Sequence, residues 1–94
     1  MAALLYLPMQ ANASVILDFN TASQEEIADV LFGIVDDELA QAIVDYRTEN
    51  GPFVEPEDLL KVPRMRMLIY NEIRPVKSGD TVIYEDMGKG MHSY

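Results

Sequence analysis

Residues 37–53 leave the backbone little choice. From Asp37 to about Glu49 the apolar residues Leu39, Ile43 and Tyr46 recur at three- and four-residue spacing, with Ala40 and Val44 beside them. They therefore form one stripe of an α-helix. Asn50-Gly51-Pro52 follows at once: glycine offers a left-handed cap, and proline cannot continue the helix. Phe53 falls just past this stop, where it is expected to plug the core. The remaining elements have to be organised around this helix and its abrupt end.

Upstream, Val15–Phe19 reads as a short extended stretch, and Ser23 with Glu26 forms a capping box that predicts a helix from Gln24. Ile27, Val30 and Leu31 share its inner face, and a turn over Phe32–Val35 leads to Asp36, Asp37 and Glu38 at the next helix start. Downstream, Pro56 at a first-turn position, with Glu57 and Asp58 behind it, opens a short third helix. Leu59, Leu60 and Val62 are its expected core contribution. After Pro63-Arg64-Met65-Arg66, a fourth helix over Met67–Ile73 is expected to turn Leu68, Ile69 and Ile73 inward and to end at Pro75. Ser78-Gly79-Asp80 between Val76-Lys77 and Thr81–Tyr84 is compatible with a small β-hairpin.

The residues Val15-Ile-Leu-Asp-Phe-Asn-Thr-Ala-Ser23, Glu25-Glu-Ile27, Ala40–Arg47, Glu49–Phe53 and Glu57–Pro63 closely resemble the tandem helix-hairpin-helix domain of the ComEA type, a bacterial DNA-uptake family. Matched residues cover about half the chain, and the stretch to Pro75 suits the end of the same module. The resemblance implies a mostly α fold: four short helices in two hairpins over residues 14–76. Residues 1–13 would be an apolar arm and 77–94 a C-terminal extension carrying the β-hairpin. It also implies phosphate capture, in which a Gly-hydrophobic-Gly hairpin brings the chain close to the DNA backbone. Amides at the following helix start then receive the anion.

Both hairpins depart from that pattern. In the first, Gly33-Ile34-Val35 keeps one glycine and loses the other; the alternative register places Ile34 where the first glycine belongs. Either way the following Asp36, Asp37 and Glu38 can cap the free amides and repel phosphate. In the second, Arg64-Met65-Arg66 stands where both glycines belong. Positive charge gathers there, since Lys61, Arg64, Arg66, Arg74 and Lys77 are five of the seven basic residues. With Glu72, the segment 61–77 carries +4 against a chain total of −9. These five residues are the candidate phosphate contacts. The same patch could instead pair with an acidic surface on this chain or on a second copy. The overall negative charge opposes nonspecific nucleic-acid affinity, which depends on Lys and Arg displacing counterions.

The remaining features bound the function. With 94 residues and 49% apolar content, the chain can bury one modest core. It has no cysteine, hence no disulfide, thiolate metal site or cysteine nucleophile, and its single histidine, His92, lies in a Gly-flanked tail. An enzyme, a cofactor and a resident metal are therefore not expected. Met87, Met91 and His92 are soft-metal ligand types at close spacing, but a methionine-containing tail accounts for them. Ala2–Pro8 is apolar, and Ala11-Asn-Ala13 has the spacing of a signal-peptidase site. Residues 1–13 read either as a signal remnant of a periplasmic or secreted protein or as a packing arm of a cytoplasmic one. No run approaches the roughly twenty apolar residues of a membrane span. Val35-Asp-Asp-Glu-Leu-Ala-Gln-Ala-Ile43 and Val62-Pro-Arg-Met65 also resemble the helical part of the minor pseudopilin of type II secretion, whose eroded hairpins serve protein assembly. The expected function is thus a noncatalytic protein-interaction or structural module that contacts a protein or a second copy. The alternative is weak, sequence-independent binding of duplex DNA through the second hairpin.

Overall fold

The computed structural model describes residues 15–86. Strand β1 (Val15–Asp18) leads into helix α1 (Gln24–Val30) and the longer α2 (Asp37–Asn50). A 3₁₀ helix (Pro56–Lys61), helix α3 (Met67–Ile73), and strands β2 (Val76–Ser78) and β3 (Thr81–Asp86) complete the order. The α1–α2 pair and the pair of 3₁₀ helix and α3 each close around a tight hairpin. Helices make up only about half of these residues. The mostly α expectation is met in part, because Val15–Asp18 is a true strand and the sheet has three strands. The order is β1-β3-β2, with β3 antiparallel to both neighbours: Leu17 faces Tyr84, and Val76 faces Ile83.

Local chemistry accounts for most boundaries. The Ser23 hydroxyl accepts from the Glu26 amide at 3.1 Å while the Glu26 carboxylate accepts from the Ser23 amide at 2.9 Å, completing the expected capping box. At the end of α2, Gly51 has φ 94° as a glycine can, but its ψ of 174° is extended rather than left-handed helical. Pro52 explains the difference, since the residue before proline is pushed out of helical ψ by the proline ring. The third helix is 3₁₀ rather than α. Pro56 and Pro63 bracket a segment of six residues, and Val62, before Pro63, is already extended at ψ 131°. Too little chain remains for i→i+4 bonding, so the Asp58 amide donates to the Glu55 carbonyl and the Val62 amide to that of Leu59.

One core joins these pieces. Phe19, Ile27, Leu31, Leu39, Ile43, Phe53, Leu59, Ile73 and Val82 are all buried, so helices from both hairpins and the C-terminal strands share it. Phe53 stacks on Tyr46 with ring centroids 5.7 Å apart. The side chain of Asn20 fixes the path around this plug: its Oδ1 accepts from the Phe53 amide at 2.7 Å and its Nδ2 donates to the Phe53 carbonyl at 2.9 Å. The same Nδ2 donates to Thr81 Oγ1 at 2.7 Å, and that hydroxyl donates to Asp18 Oδ1 at 2.6 Å. One asparagine thus ties the end of β1, the chain beyond α2 and the start of β3 together.

Two inward assignments change. Leu68 is 78% exposed, because Ile69 and Ile73, four residues apart, set the core-facing side of α3 and Leu68 lies about 100° round from Ile69. Leu60 is only half-buried, whereas Leu59 and Val62 are buried as expected. Residues 1–13 and the Met87, Met91 and His92 cluster lie outside the described residues. Among those described, no helix is long and apolar enough to cross a membrane.

Candidate functional site

The two hairpins are built on the same backbone turn. In the first, the Ile34 amide donates to the Leu31 carbonyl at 2.9 Å and the residue between, Gly33, has φ 89°. In the second, the Met65 amide donates to the Val62 carbonyl at 3.1 Å and Arg64 has φ 78°. Gly33 and Arg64 are therefore equivalent, as are Leu31 and Val62, Ile34 and Met65, and Val35 and Arg66. This settles the register of the first hairpin: Gly33 holds the first glycine position and Val35 the second.

The chemistry placed on the two turns differs. Val35 is buried in the core with Leu31 and Leu39, so its side chain does not shield the turn. Asp36 Oδ1 accepts from the Leu39 amide at 2.8 Å and so caps the start of α2, with Asp37 and Glu38 exposed behind it. At the second turn Arg66 is exposed and makes no side-chain cap at the start of α3. Arg64 carries a side chain at a left-handed φ that favours glycine, and its guanidinium pairs with the Glu38 carboxylate of the first hairpin.

A groove of about 850 Å³ runs between the turns. It is lined by the apolar Ala28, Ile34, Leu39 and Ile69 and by the charged Asp36, Asp37, Arg64 and Arg66. Phe32 lines it too, 87% exposed, and Leu68 borders the adjoining depression with Glu72.

A family model for the helix-hairpin-helix motif matches residues 12–76, which takes in both turns. The chain belongs to the helix-hairpin-helix family. That family is generally associated with nucleic-acid binding. No solved structure matches the chain.

Of the five candidate phosphate contacts, Arg64 and Arg66 line the groove. Lys61 pairs with Asp58 at 3.3 Å and Lys77 with Glu55 at 2.9 Å, which places Lys77 by the start of the 3₁₀ helix. Arg74 caps the far end of α3 in a left-handed conformation, φ 53°. Periodicity missed the exposure of Phe32 and Leu68, although Phe32 lies outside the Ile27-Val30-Leu31 stripe and Leu68 outside the Ile69-Ile73 pair. Among the described residues no group of histidine and carboxylate side chains could hold a metal ion.

Proposed function

We propose that this chain is a noncatalytic protein-interaction module of the ComEA-like kind that uses the hairpin face as its contact surface, its phosphate-binding geometry being degraded. The observation carrying this reading is what surrounds the groove. Phe32 and Leu68 expose most of their apolar surface there, and the Leu39 amide in the first turn of α2 is taken by Asp36. An exposed aromatic beside apolar lining residues suits a protein surface, which rewards desolvation of large side chains. A phosphate backbone would meet Asp37 and a chain of net charge −9.

The second reading is weak, sequence-independent binding of duplex DNA. Arg66 favours it, being exposed in the groove lining without an ion pair among the described residues. Titration with duplex DNA over a salt series separates the two. The interaction module binds DNA poorly even at low salt. Micromolar or tighter affinity at physiological salt, falling steeply as salt rises, would overturn it, since nonspecific binding there typically lies at about 10⁻⁴–10⁻⁶ M. Any such binding should be mostly lost in Arg64→Ala/Arg66→Ala.

A further inference from the structure

We propose that the partner for the hairpin face is a second copy of this chain, docked about a twofold axis through the groove; the proposal rests on the interaction reading above. Three features of one face point to it. The first is a knob and a hole on one surface: Phe32, most of its side chain exposed, lines the same groove as the apolar Ala28, Ile34 and Ile69. An isologous contact needs both on the same surface, because each copy must give what it receives.

The second is the charge of the lining. Asp37 and Arg66 both line the groove, and no ion pair joins them within the chain. A second copy brings both signs to the same face, so the Arg66 of each copy has an Asp37 of the other to meet. The third is the absence of a single sign. A basic peptide would be repelled by Arg66 and an acidic one by Asp37, whereas the face complements itself. The long-range repulsion between two chains of −9 is screened within about 8 Å at physiological ionic strength, leaving the contacts of the face itself to decide association.

Sedimentation of the full chain across a micromolar-to-millimolar series is the test, with circular dichroism to confirm folding of each variant. The wild type should shift from monomer to dimer. Phe32→Ala, an exposed position, should keep the helical signal and weaken association by about tenfold or more. Asp37→Lys and Arg66→Glu should each weaken it, and the double reversal should restore it, a rescue that a merely structural role cannot give. A wild type that stays monomeric overturns the dimer; if it also fails to bind DNA, the interaction reading stands without a second copy as its partner. A dimer indifferent to Phe32→Ala and to both reversals overturns the proposal by placing the contact elsewhere. Dimerisation that appears only after residues 1–14 are removed would likewise overturn it for the full chain, by assigning the groove to that segment.

Discussion

The first and second hairpins share a turn and almost nothing else. Gly33 and Arg64 adopt nearly the same positive φ, one without cost and one against the steric preference of its Cβ. The first hairpin leads into a helix of 14 residues capped by Asp36; the second leads into one of seven with no side-chain cap. A turn geometry can thus persist while the residues placed on it differ. The backbone of a helix-hairpin-helix is held by the Leu31 and Val62 side chains beneath it and by its own hydrogen bonds, whereas anion binding depends on what is absent above it.

Whether the halves are equally important to stability is the comparison with the largest stakes. Ile43 in α2 and Leu59 in the 3₁₀ helix are both fully buried in the common core. Ile43→Ala and Leu59→Ala should each cost about 2–5 kcal/mol in denaturant unfolding. A small loss for Leu59→Ala alone would show that the second half opens independently, and unchanged melting of both would refute the core described above.

Asn20 bridges the chain on either side of α1 and α2 through three side-chain hydrogen bonds. Asn20→Ala leaves the part-buried Phe53 amide and carbonyl without that partner, for an expected loss of about 2–3 kcal/mol. Equal stability of the variant would mean that Phe53 is held by packing alone.

The first turn of the 3₁₀ helix is tied to pH through Asp58. Asp58 Oδ2 accepts from the Glu55 and Val54 amides at 3.0 and 2.9 Å. These bonds, that to Glu55 foremost, hold its carboxyl below the ordinary aspartate value. Because its folded pKa is depressed, the stabilisation is present above about pH 4, the unfolded value, and is lost as pH falls through the folded one. Asp58→Ala should cost about 0.5–2 kcal/mol at neutral pH, and the gap from wild type should narrow in acid. A gap that stays constant down to the acid transition would deny the carboxylate that role.

The smallest effects test the turns themselves and should have opposite signs. No atom lies within 4 Å of a Cβ built on Gly33, so Gly33→Ala is expected to cost about 1 kcal/mol through backbone conformation alone. Arg64→Gly removes the same strain and forfeits only an exposed pair with Glu38, which is worth little. It should be neutral or stabilising by up to about 1 kcal/mol. Two losses would show that Arg64 holds the hairpins together through Glu38.

Local chemistry was legible in the chain itself. Ser23 and Glu26, the Gly51-Pro52 stop, Pro56 and the Ile43 and Leu59 core positions act within a few residues, through hydrogen bonds and periodicities that any similar segment would show. The resemblance to the helix-hairpin-helix pattern was carried by these same residues. What no local rule could decide was the placement of residues far apart in the chain. The pairing of β1 with β3, the Asn20–Phe53 tether and the Arg64–Glu38 pair span from 26 to some 70 positions. Of the five cations grouped in the sequence, Arg64 and Arg66 line the groove while Lys61 and Lys77 pair with Asp58 and Glu55, partners that only the fold assigns. Leu68 became surface for a related reason: in a helix this short, only the residues in register with the shared core can reach it, and the next residue round is left to solvent or to a partner, while Phe32 stands on the turn beyond α1.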